Sequence, residues 1–109
     1  MNKIEKRIYE GIEIVMANYR GNLHSLWLVG SVARDYPDKF KKWYLDIDLL
    51  AFTYTRKAKD VPRVYGEIDI DIGHDWFMHL YKFMRNRRLR NNLTRYQQLD
   101  FNKYAKRLL

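Results

Sequence analysis

The 109-residue chain contains no cysteine, which removes disulfides, zinc-thiolate sites and thiol nucleophiles together. A disulfide-stapled secreted scaffold and a zinc ribbon are thereby excluded, and a reducing cytoplasm is the expected compartment. Histidine numbers only three, and His74 and His79 stand five apart, missing the i, i+4 spacing that sets two imidazoles on one helical face. With two prolines and five glycines there is neither a low-complexity stretch nor an internal repeat. No apolar run approaches the roughly 20 residues that cross a bilayer, and the opening Met1 to Arg7 mixes both charges without an apolar stretch behind it, so neither export nor a membrane partner is expected. Acid is scarce in the last quarter. From residue 82 onward nine Lys and Arg face a single Asp100, whereas residues 1–81 carry 12 of each sign. That asymmetry predicts either a polyanion-binding segment, with Arg85, Arg87, Arg88 and Arg90 contacting phosphates, or a solvated basic helix.

Large side chains are plentiful, with 47% of residues hydrophobic and 16% aromatic. They are enough for one compact domain over 1–109 that buries roughly 65% of its unfolded surface.

Ile4, Ile8, Ile12, Val15 and Tyr19 recur at three- and four-residue steps among charged neighbours, predicting an amphipathic helix over about 3–20 that Gly21-Asn22 closes. The apolar run from Leu23 to Val29, ending at Gly30-Ser31, is short and aromatic enough to be a buried strand. In Leu45 to Phe52 the acids Asp46 and Asp48 alternate with Ile47, Leu49 and Ala51. Glu67, Asp69 and Asp71 alternate in the same way with Ile68, Ile70 and Ile72 before Gly73, giving two further strands with one acidic face each. Thr53 to Gly66 lacks apolar periodicity and reads as a loop. Beyond Asp75, a candidate N-cap, the residues Trp76, Phe77, Leu80, Tyr81 and Met84 mark one face of a helix, and these aromatics, with Phe83, are expected in the core rather than stacked on bases. Thr94 to Gln97 forms a capping box for a last helix running through Leu99, Tyr104, Leu108 and Leu109, so that 82–109 is expected to be basic and helical. The expected class is α+β: a small, mostly antiparallel or mixed sheet of three or more strands flanked by helices.

Asp46 and Asp48 project from one strand face with Cα atoms about 6.5 to 7 Å apart. If the Glu67–Ile72 strand pairs beside them, up to five carboxylates share a face. Such hard oxygens suit Mg²⁺ or Mn²⁺, singly or as a pair. Gly30 ends its strand where the backbone can turn sharply and approach a ligand, while Ser31 and the following amides can donate to phosphate oxygens and Arg34 adds positive charge. Trp43, beside Lys41 and Lys42, is a candidate for stacking on a base.

The combination Gly30-Ser31-Val32-Ala33-Arg34, then Leu45-Asp46-Ile47-Asp48-Leu49-Leu50, then Ile68-Asp69-Ile70 resembles the DNA polymerase β-like nucleotidyltransferase superfamily. The likeness spans about Leu26 to Ile72. It implies a palm-like nucleotidyltransferase fold and a two-metal transfer of a nucleoside monophosphate from an NTP to an acceptor hydroxyl, with Asp46 and Asp48 holding Mg²⁺ or Mn²⁺. Gly30 and Ser31 would hold the triphosphate. A third carboxylate would activate the acceptor oxygen and join the metal site; Asp69 fits that place best, and Asp71 on the same face stays open. Strand pairing is expected to set only one of those two level with the metal pair. The acceptor is expected to be RNA or DNA on charge grounds, with two alternatives: an antitoxin that transfers AMP to its partner toxin, or a catalytically idle nucleic-acid-binding module.

Overall fold

The computed structural model describes residues 2–36, 46–85, 101 and 104–109, the side chains of Lys82, Phe83 and Arg85 excepted. Helix α1 spans Lys3–Tyr19, opened by Asn2, whose side chain accepts from the Glu5 amide at 2.8 Å, satisfying one of the free N–H groups of the first turn. It ends before Gly21, which takes φ +79°, the left-handed conformation that glycine adopts at a helix C-terminus. Its buried stripe is Ile4, Ile8, Gly11, Val15 and Tyr19, the predicted face with Gly11 buried and Ile12 only partly covered at its edge. The helix lies close to the sheet there, since a Cβ on Gly11 would stand 2.5 Å from Leu49 Cδ1.

Strand β1 (Leu23–Val29) leads directly into the short helix α2 (Gly30–Asp35), and β2 (Asp46–Thr53), β3 (Asp69–Trp76), α3 (Phe77–Arg85) and β4 (Lys106–Arg107) follow. The sheet order is β3-β2-β1-β4. β1 is antiparallel to β2 and β4, whereas β2 and β3 are parallel. The class is therefore α+β with a mixed four-stranded sheet. The connection between the parallel strands contains no helix, in keeping with the loop read from the sequence, although parallel pairs are usually joined by one.

Two elements differ from expectation. β3 starts and ends later than Glu67–Ile72 and runs through Gly73, which pairs with Leu50. Pairing with β2 satisfies the backbone there, so the glycine does not act as a stop. Phe101 and Tyr104 are helical as expected, but the chain then ends as an edge strand and not as a helix: Lys106 and Arg107 pair with Leu28 and Trp27, and the Leu108 amide donates to the Leu26 carbonyl at 2.7 Å. An open edge of β1 offers those groups a ladder that a helical end would leave unpaired. Thr94 and the rest of the capping box lie outside the described residues.

Alternation along the strands divides the sheet into two faces. One packs on α1 through Leu26, Leu28, Ile47, Leu49, Ala51, Ile70 and Ile72. The other is apolar at one end, where Phe52, Leu80 and Phe101 form a second cluster with Trp27, Val29, Leu50 and Phe77, and acidic at the other, where Asp46, Asp48, Asp69 and Asp71 lie. On α3 only part of the predicted stripe is buried: Leu80 is covered, but Tyr81 and Met84 are 50% and 57% exposed. Trp76 is half-buried beneath the Arg56 guanidinium, 4.4 Å from its ring. Asp75 belongs to β3, and its carboxylate accepts from the Trp76 amide and pairs with His79, both at 2.7 Å.

Candidate active site

Parallel pairing places the acids in register: Asp46 opposite Asp69 and Asp48 opposite Asp71. Neighbouring strands lie about 4.8 Å apart, so the four carboxylates form a square at one end of the sheet face. Both β3 acids are level with a β2 acid, which corrects the expectation that only one would be. The β2 pair itself spans two residues, and the same two-residue step along β3 matches it. Glu67 lies before the strand and pairs at the exposed surface with Lys3 at 2.9 Å, so it is not part of this square.

Like charges placed opposite one another repel, and among the described residues the compensating cation is Arg63. Its Nη2 lies 2.9 Å from Asp46 Oδ2, its Nε 3.4 Å from Asp69 Oδ2 and its Nη1 3.5 Å from Asp71 Oδ2. The guanidinium is held firmly protonated, first by its hydrogen bond to Asp46. Sequence reading passed over this residue because it sits in a segment without periodicity. The available signal was chemical: a dense acidic face needs a cation, and Arg63 shortly precedes Asp69. The backbone places it, since Val64 and Ile70 exchange hydrogen bonds at 2.9 and 2.8 Å, folding residues 64–68 back along β3. Arg7 of α1 secures that turn, donating through Nε to the Ile68 carbonyl at 2.7 Å and through Nη2 to the Tyr65 carbonyl at 3.3 Å.

Asp48 is different. Among the described residues its carboxylate has no hydrogen-bond or ion-pair partner, and it is turned towards Gly30. Gly30 adopts φ +73°, and a Cβ there would stand 2.5 Å from Asp48 Oδ2. Glycine is thus needed twice, for the left-handed backbone and for the space. Burial, then the charges of Asp46 and Asp71, push the Asp48 pKa up from 3.8 to about 6, with Arg63 opposing.

Of the other predicted nucleotide contacts, Ser31 and Arg34 are exposed on α2 while Val32 and Ala33 anchor the helix in the core. The Arg34 guanidinium stands 5.4 Å over the Tyr104 ring. Arg85 is the last residue of α3. Arg87, Arg88, Arg90 and Trp43 lie outside the described residues.

The donor set suits a hard divalent cation: four carboxylates, one of them half-buried, without a partner among the described residues and facing a backbone position with no room for a side chain. Among the described residues no three of them close on one point, because three are spaced around a guanidinium and the fourth faces Gly30. No helix among the described residues is long and apolar enough to cross a membrane. No protein-family model matches the chain, and no curated protein matches it either.

Proposed function

We propose that the chain is a divalent-metal-dependent nucleotidyltransferase, carrying a nucleoside monophosphate from an NTP to an acceptor hydroxyl. The observation behind this reading is the in-register square of Asp46, Asp48, Asp69 and Asp71 beside a left-handed Gly30. It agrees with the resemblance of the Gly30-Ser31 and Asp46-Ile47-Asp48 segments to the polymerase β-like superfamily, and a palm-like fold belongs to the same proposal. A catalytically idle module has little reason to keep a half-buried carboxylate that has no partner among the described residues, since burying an unpaired charge is costly.

Asp46 and Asp48 would hold Mg²⁺ or Mn²⁺, which when bound neutralises the triphosphate and eases loss of the acceptor proton. Gly30 lets the phosphates approach the start of α2, where the exposed Ser31 hydroxyl can donate to them. Asp69 takes the proton from the acceptor hydroxyl. The acceptor oxygen then bonds to the α-phosphorus, the bridging α–β P–O bond breaks, and its electrons leave with pyrophosphate. Asp69 suits the role because the Gly66 amide donates to its Oδ1 at 2.9 Å and fixes its direction. The excess of base from residue 82 onward favours RNA or DNA as the acceptor. A cysteine-free chain without a spanning helix in its described residues also suits the cytoplasmic NTP pool.

Calorimetry with Mg²⁺ and NTP tests the site. The intact chain is expected to bind the metal-nucleotide more tightly than either alone, because the carboxylates leave positions for phosphate oxygens, and Asp48→Ala is expected to lose that gain. Unchanged affinity in the variant removes these residues from the site.

A further inference from the structure

Arg63 spends all three of its guanidinium nitrogens on the acidic square, touching Asp46, Asp69 and Asp71 and leaving only Asp48 aside. We propose that Arg63 is an internal counter-ion, occupying in the ligand-free protein the place a divalent cation takes when metal-nucleotide binds, and leaving the carboxylates as the cation enters. The proposal rests on the nucleotidyltransferase reading, which is what brings a cation to these oxygens.

Geometry makes the two cations exclusive. Mg²⁺ draws its oxygens in to about 2.1 Å, whereas the oxygens around Arg63 stand 2.9 to 3.5 Å from three nitrogens of a wide planar group. Carboxylates arranged around a guanidinium cannot also close on a small ion. Release is easy, because only the Asp46 contact has ordinary hydrogen-bond length and the Arg63 side chain is 34% exposed, a setting in which ion pairs contribute little.

The backbone can stay in place while the side chain moves. The Val64 to Ile70 hydrogen bonds and the Arg7 contacts to the Ile68 and Tyr65 carbonyls hold the turn, and Arg63 has a long, rotatable stem. Four carboxylates against one guanidinium leave an excess of negative charge, so a divalent ion is still attracted while Arg63 is in place. Asp48, turned towards Gly30 and without a partner among the described residues, offers such an ion its first ligand.

Mn²⁺ affinity, read by electron paramagnetic resonance without nucleotide, tests the exchange in the wild type and in Arg63→Gln and Arg63→Lys. Removing a competing cation is expected to tighten Mn²⁺ binding roughly tenfold or more in Arg63→Gln, with Arg63→Lys closer to wild type. On the wild-type protein, where folding of a variant is not at issue, the ¹⁵Nε–H resonance of Arg63 is expected to move as Mg²⁺ saturates the site. Equal Mn²⁺ affinity in all three proteins with an unmoved resonance overturns the counter-ion role and leaves the metal site standing. Failure of every protein to bind Mn²⁺ removes the metal site, and the counter-ion role with it.

Discussion

The two carboxylates of β3 are held differently. Asp69 is 24% exposed and its Oδ1 accepts from the Gly66 amide, a contact that does not depend on Arg63, whereas Asp71 is 53% exposed and among the described residues is met only by Arg63 at 3.5 Å. A positioned base contributes roughly 10²- to 10⁴-fold to rate, so Asp69→Asn is expected to lower single-turnover transfer within that range with metal-NTP binding kept, and Asp71→Asn to cost much less. The reverse order assigns the base to Asp71. Asp48 leads to a second expectation. Its folded pKa of about 6 lies above its ordinary 3.8, so the folded state holds the proton more tightly than the unfolded chain does. The stability this contributes is complete below about pH 4 and lost as pH rises through about 6. In metal-free buffer, thermal melts across that window should show Asp48→Asn gaining on the wild type as pH rises; a constant difference contradicts the raised pKa. Strand alternation makes all four acids legible in the sequence, because a period of two requires only local residues. Arg63 is not legible that way, since its position depends on a turn held by Arg7 from a helix more than fifty residues earlier.

Among the elements, α1 and β1 follow their sequence patterns closely, because α1 carries a buried stripe with a clear period, β1 is a short apolar run, and each is followed by a glycine. β3 and the chain end depart from theirs because neighbouring strands supply hydrogen bonds that no local pattern announces. Gly11 is a case between the two: it continues the stripe of α1, but the reason for a glycine is Leu49 on β2, 2.5 Å from where a Cβ would stand. Leu49 is 2% exposed and has little room to yield. Gly11→Val is therefore expected to destabilise by about 1–3 kcal/mol through overpacking, read as a lower urea midpoint with unchanged slope. A variant as stable as wild type contradicts the close approach of α1 to the sheet.

For the whole molecule, the sheet face divides the work. Its apolar end packs against α3 and Phe101, while its acidic end lies beside α2, so the carboxylates are held on a rigid sheet and not on a loop. Charge is divided too, with residues 1–81 balanced and the net +8 carried from residue 82 onward, which suits an acceptor rich in phosphate. The most direct measurement is transfer itself: the full chain incubated with each NTP labelled at the α- or γ-phosphate, Mg²⁺ or Mn²⁺, and RNA, DNA and protein acceptors, beside Asp48→Ala. The expected result is metal-dependent movement of α-label to an acceptor, with pyrophosphate released, no γ-label transferred and the reaction lost in Asp48→Ala. Absence of transfer with every NTP and acceptor, or transfer that survives both chelator and Asp48→Ala, contradicts the account.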